Sequence, residues 1–220
     1  MRYPAPGSVA SGDLLILAHG AGAGQHSPFM TRYAQELAAR GPDVVTFNFP
    51  YMDAGRKAPD RAPLLQETFR DIIATVAARD DAAATRVFIG GKSMGGRMAT
   101  HLAATPDQWP LATPLAGVVV FGYPLLPPGG RPARAAHLPH LAAPTLFVQG
   151  TRDSFGDPDA IRAATPGVSV LDILSVEGGD HSFAVLKRSG RDQDAVHRAI
   201  WDGVVSWMTR LKDRTAAAGT

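Results

Sequence analysis

Three side chains in this sequence have the types and the chain order that nucleophilic acyl chemistry requires. Ser93 sits in Gly90-Gly91-Lys92-Ser93-Met94-Gly95-Gly96, which contains G-x-S-x-G between an apolar run and a helical pattern. A serine on so tight a turn is forced into a strained backbone conformation that exposes its hydroxyl, and the flanking glycines let the turn pack. That hydroxyl is a poor nucleophile near neutral pH, so it needs a base, and the base needs a carboxylate to orient it. Asp153, in Gln149-Gly150-Thr151-Arg152-Asp153, and His181, in Glu177-Gly178-Gly179-Asp180-His181-Ser182-Phe183, follow in the order serine, acid, histidine. Asp157 and Asp159 read as helix-start residues, and Asp180 adjoins His181 too closely to face it. His197 falls within a helical stripe, and His137 and His140 lie in an irregular stretch.

Acyl transfer also builds negative charge on the former carbonyl oxygen, which backbone N–H groups must meet. The N–H of Met94, directly after the nucleophile, is one candidate donor. The other is Ala21 in the glycine-rich His19-Gly20-Ala21-Gly22-Ala23-Gly24, where the main chain can approach a substrate; the His19 ring is expected to pin that loop. A rival reading of Gly91-Lys92-Ser93 as the end of a phosphate-binding loop fails, because position 86, where its first glycine belongs, is Arg86.

The elements that must position these groups are legible as alternating patterns. Strands are expected at Asp13 to Ala18, Asp43 to Phe49, Arg86 to Gly90, Ala116 to Phe121, Pro144 to Val148 and Val168 to Val176. Helices are expected over 28–40, around Leu65 to Val76, over 93–104, from Asp157 to Ala164 and over 192–212, with residues 123–143 irregular and rich in Pro and Gly. Strands alternating with amphipathic helices predict one α/β domain over residues 1–220, with a parallel sheet covered on both faces. Each chemical group then leaves the carboxyl edge of that sheet, where ligands bind in open α/β folds. The aromatic and apolar residues on the same loops, His26, Phe29, Tyr51, Met52, Tyr123, Leu125, Phe155 and Phe183, are candidate substrate contacts.

Composition narrows the function classes. The 220 residues contain no cysteine, which excludes a thiolate nucleophile and sulfur-ligated metals, and a net charge of +2 without a basic block provides no footprint for nucleic acid. No apolar run reaches the roughly 20 residues of a membrane helix, and no secretory leader pattern is visible, so a cytoplasmic protein with a small-molecule acyl substrate is expected. No H-E-x-x-H spacing appears, and neither a metal nor another cofactor is expected.

Taken in order, HGAGAG, GGKSMGGR, QGTRD and GGDHSF make the sequence resemble the α/β-hydrolases, in particular their compact dienelactone hydrolase-like branch, across residues 13–213. The resemblance implies a three-layer fold with a mostly parallel sheet of about six strands, a minimal cap, a Ser93–Asp153–His181 triad and oxyanion donors at Ala21 and Met94. Dienelactone hydrolase itself uses a cysteine nucleophile, which this chain lacks. The implied activity is that of a carboxylesterase-like serine hydrolase; the alternatives are a non-enzymatic binding or scaffold protein on the same fold, or an acyltransferase or thioesterase using the same triad.

Overall fold

The computed structural model describes residues 1–79, 86–129 and 131–218. Its strands are β1 (Arg2–Tyr3), β2 (Asp13–Ala18), β3 (Asp43–Phe47), β4 (Arg86–Lys92), β5 (Leu115–Phe121), β6 (Thr145–Gly150) and β7 (Leu171–Val176). They form one seven-stranded sheet in the order β1-β3-β2-β4-β5-β6-β7. All neighbours are parallel except β1, which pairs antiparallel with β3 and sets Arg2 opposite Val45 and Tyr3 opposite Val44. The sheet of about six strands gains a short edge strand that the sequence did not display: two residues are too few to show a period, and β1 is held largely by its ends, through the Arg2–Asp43 ion pair at 2.5 Å and the N-terminal ammonium on Thr46 O.

Side-chain alternation along the strands makes two cores. Leu14, Ile16, Ala18, Val87, Ile89, Val118, Val120 and Phe147 face one way, against α3 (Ala62–Arg79), α4 (Met94–Ala103) and α5 (Pro158–Ala164). Leu15, Leu17, Phe88, Val119, Phe121, Leu146 and Val148 face the other way, against α1 (Pro28–Ala38) and α6 (Gln193–Ala218). The helical stripes match these roles. Leu65, Phe69 and Ile73 are buried on α3, and Val196, Ile200, Val204 and Trp207 on α6, one residue every three or four as the 3.6-residue turn demands. A further short helix, α2 (Pro50–Asp53), follows β3 where the sequence suggested loop, and α6 runs past residue 212 to Ala218.

A charged clamp ties the entry side of the central strands together. Arg86 on β4 meets Asp13 on β2 through two bonds of 2.8 Å and also donates to Met208 O of α6 at 3.0 Å. At the opposite, carboxyl edge the chain order reverses: β3 lies on one side of β2 and β4 on the other. The crevice opened by that reversal is where the loops after β2 and β4 face each other. Between β5 and β6 the described residues hold only a single short 3-10 turn, Leu138–His140, so no helical lid covers that edge.

Candidate active site

Ser93 is the one residue between the end of β4 and the start of α4, and the abrupt change of direction gives it φ 51° and ψ −110°. Left-handed backbone disfavours any side chain by about 1–2 kcal/mol, and the surrounding bonds hold it there. The Ser93 N–H donates to Phe121 O of β5 at 3.0 Å, and the Arg97 N–H donates to Ser93 O at 3.0 Å. The turn closes only because of its glycines. A Cβ on Gly91 or on Gly95 would lie 2.3 Å from Ala18 O, the last carbonyl of β2.

His181 approaches from the loop after β7. That loop is tied by Asp180, whose Oδ1 accepts from the N–H groups of Ser182 at 2.8 Å and Ala184 at 2.9 Å. Its Nε2 lies 2.9 Å from Ser93 Oγ and its Nδ1 lies 2.8 Å from Asp153 Oδ2. An ionised carboxylate only accepts, so Nδ1 carries the proton and Nε2 presents its lone pair to the serine hydroxyl. The Asp153 side chain is fully enclosed. Two further donors compensate its burial: Gln149 Nε2 to Oδ2 at 2.8 Å and the Phe155 N–H to Oδ1 at 2.8 Å. The other carboxylates turn elsewhere, as Asp157 caps α5 through the Ala160 N–H and Asp159 pairs with Arg162. His137 stacks on His101 at 3.6 Å and bonds Thr100 Oγ1, and His197 bonds the Tyr33 hydroxyl.

Lys92, the residue before Ser93, donates from Nζ to His181 O at 2.5 Å, fixing the His181 backbone. Burial pushes its ammonium down to about 8, against the opposing pull of Asp153 and Asp180. Phe155 packs on the His181 ring with centroids 4.6 Å apart.

The glycine-rich loop after β2 is pinned from below by His19. The Phe49 N–H donates to its Nε2 at 3.1 Å, so the ring's proton is on Nδ1, which donates to Gly20 O at 2.8 Å. Burial lowers the basicity of this ring, keeping it neutral. Ala21 and Met94 both line the cavity above Ser93. Met94 opens α4, so its N–H has no earlier helical carbonyl to bond.

The cavity measures about 700 Å³ and contains Ser93 and His181 on its wall. Of the expected substrate contacts, Phe29 and Phe155 line it. The others do not, among the described residues. Tyr51, Tyr123 and Leu125 are buried in the core on the α3 and α4 face, where the Tyr123 hydroxyl donates to Arg134 O at 2.6 Å, and Met52 packs against the same core. Phe183 is buried on the α1 and α6 face, and His26 is exposed without lining the cavity. In their place the wall is built from Met30 of α1, Leu65 of α3, and Pro124, Pro128 and Arg134 of the stretch that looked featureless in sequence. Arg97, Lys92 and Asp60 add charge to the same wall. Lys92 and Arg97 were within reach of sequence reasoning, since one adjoins Ser93 and the other lies one helical turn beyond it; Gln149 showed itself as a polar residue ending an apolar strand. No group of three or more His, Asp or Glu placed to hold a metal ion occurs among the described residues.

Residues 11–209 match the family described as alpha/beta hydrolase domain. Among solved structures, the chain is similar to an alpha-beta serine hydrolase homologue from Coxiella burnetii, with a TM-score of 0.68 at 19% identity over 96% of this chain and 89% of that one. It is equally similar to an α/β serine hydrolase without a lid from Xanthomonas campestris, with a TM-score of 0.68 at 20% identity over 94% and 87% of the two chains. A dienelactone hydrolase from Anabaena variabilis superimposes with a TM-score of 0.67 at 18% identity, over 94% and 88%. With the family match spanning nearly the whole sequence and the fold shared at this level, the chain belongs to the α/β-hydrolase domain family.

Proposed function

We propose that the chain is a serine hydrolase that cleaves esters or related acyl compounds through an acyl-enzyme. The reading rests above all on the continuous relay from Ser93 Oγ through His181 to Asp153, with both hydrogen bonds under 3 Å. Ser93 Oγ attacks the acyl carbon as His181 Nε2 takes its proton, and the N–H groups of Met94 and Ala21 receive the developing oxyanion. His181 then protonates the departing alcohol, leaving the acyl group on Ser93. In the second half water attacks the acyl carbon as His181 takes its proton; the bond to Ser93 Oγ then breaks, His181 returns the proton to that oxygen, and the acid product leaves, with the Asp153 carboxylate stabilising the imidazolium. The neutral His19 has no path to the substrate carbonyl in this scheme and serves the loop alone.

The test is turnover of p-nitrophenyl acetate by wild type and by Ser93→Ala, His181→Ala and Asp153→Ala. Each substitution should lower kcat by several thousandfold or more, and combining them should add little, because the three groups act as a unit. A Ser93→Ala protein that turns over the ester at the wild-type rate would refute the assignment.

A further inference from the structure

The cavity beside Ser93 holds two arginines that the ester chemistry above does not use. Arg97 lies on α4 one helical turn beyond the nucleophile, and its N–H is bonded to Ser93 O. Residues four apart on a helix share a face, which puts the Arg97 side chain on the same wall as the hydroxyl. Arg134 reaches that wall from the loop after β5.

Among the described residues, neither guanidinium is paired with a carboxylate. The Arg97 Nε is buried and makes no hydrogen bond, and among the described residues neither arginine takes part in an ion pair. Among the described residues, the one polar contact of the Arg134 head is a weak one, from Nη1 to Pro124 O at 3.4 Å. Burial and the neighbouring positive charge of Arg134 both disfavour the charged form of Arg97. Its aromatic neighbour cannot offset this, because burial keeps the Tyr123 phenol protonated. Asp60, the carboxylate on the cavity wall, is paired with Arg56 at 2.7 Å and is not among the charges acting on Arg97. A buried guanidinium donor left without a partner is costly to keep. That unpartnered Arg97 donor and the half-buried, weakly bonded Arg134 line one cavity, close enough for each charge to act on the other, and together form an electrostatic hole that an anion would fill; a guanidinium's planar fork of donors matches a carboxylate.

We infer that Arg97 and Arg134 select substrates bearing a carboxylate a few bonds from the scissile acyl carbon, as in the monoester of a dicarboxylic acid. This rests on the hydrolase reading above and adds the substrate class to it. The carboxylate would sit between the two guanidinium groups while the ester carbonyl lies over Ser93, so the anion orients the acyl chain and replaces the missing partner.

The experiment compares a matched pair, p-nitrophenyl hydrogen glutarate and p-nitrophenyl valerate, whose acyl chains have the same length and differ by the terminal carboxylate. The wild-type protein should favour the charged ester at least tenfold in kcat/KM, and added salt should erode that preference. Arg97→Gln and Arg134→Gln should each lower the charged-to-neutral ratio at least tenfold, and Arg97→Lys should recover part of it. Taking the ratio makes the readout independent of any change in overall rate, and the wild-type pair alone decides the matter if a variant fails to fold. A wild-type ratio at or below one, or a ratio that neither glutamine variant moves, overturns the inference. Labelling of Ser93 by a fluorophosphonate in the same preparation separates the two failures: labelled protein without charge preference sinks the arginine site alone, and unlabelled protein sinks the hydrolase reading beneath it.

Discussion

Adding a single methyl group at Gly95 tests whether the close approach of α4 to β2 is what assembles the site. The Cβ of Gly95→Ala would stand 2.3 Å from Ala18 O, 2.6 Å from Ala18 C and 2.7 Å from His19 O. All three are backbone atoms, so no side-chain rotation relieves the clash. Ordinary contact begins at 3.4 Å, which requires the start of α4 and the end of β2 to separate by 3.4 − 2.3 = 1.1 Å. The two segments being pushed apart are those that carry Met94 and, three residues after Ala18, Ala21. A displacement near 1 Å in a reacting constellation costs on the order of a hundredfold in rate. Overpacking of this kind typically destabilises by about 1–3 kcal/mol, equivalent to a Tm loss of about 2–12 °C for a domain of this size. Steady-state kinetics on p-nitrophenyl acetate together with a thermal melt measures both. Gly7→Ala is the control, since a Cβ there meets nothing within 4 Å, and it should leave rate and Tm at wild-type values. Should Gly95→Ala keep kcat within threefold of wild type while folded, the argument that this contact sets the oxyanion geometry fails.

Gln149→Leu should lower kcat about tenfold or more without abolishing it, because Asp153 Oδ2 loses one of its two donors while His181 remains in place; an unchanged kcat would show that the carboxylate needs no such support. The stacked His101 and His137 are held neutral by burial and by nearby positive charge, including Arg97, with values lowered to about 4 and about 3. Their unfolded forms titrate near 6.5, so the stability they contribute is complete above that pH and declines as pH falls toward those folded values. Allowing for their partial exposure, denaturant melts should show a loss on the order of 2 kcal/mol between pH 7 and pH 5 that His137→Phe reduces; an identical decline in that variant would contradict the assignment. For neutral p-nitrophenyl esters, kcat/KM should peak at short to medium acyl chains, as each methylene gains about 0.8 kcal/mol only while it is buried; a steady rise through palmitate would reveal an apolar groove that the cavity walls do not show.

The sheet edge was readable because its chemistry is local. Gly91 and Gly95 mark a turn that only small residues can close, and the apolar runs before Ser93 and Asp153 place both at strand ends by period and punctuation alone. The pocket walls were opaque for the opposite reason. Tyr51, Tyr123 and Phe183 follow the right strands, yet whether an aromatic ring on such a loop turns toward the cavity or into the core depends on packing between distant segments, and all three are buried in the core. Pro124 and Pro128 lie in a stretch without periodicity, and it is the path of that loop, not its composition, that makes them a wall. Strand β1 escaped notice because two residues carry no pattern, and its partner β3 lies many residues away. Arg97 did carry a signal, its place one turn after Ser93, but its significance appears only once its buried Nε is seen to lack a partner among the described residues.

The central claim is that Ser93 is a nucleophile activated by His181, and the most direct measurement is intact-protein and peptide mass spectrometry after treatment with a fluorophosphonate. The account predicts one phosphonyl adduct per chain, located on Ser93, absent from Ser93→Ala and strongly slowed in His181→Ala. A wild-type protein that stays unmodified, or that carries the adduct on a different residue, would contradict it.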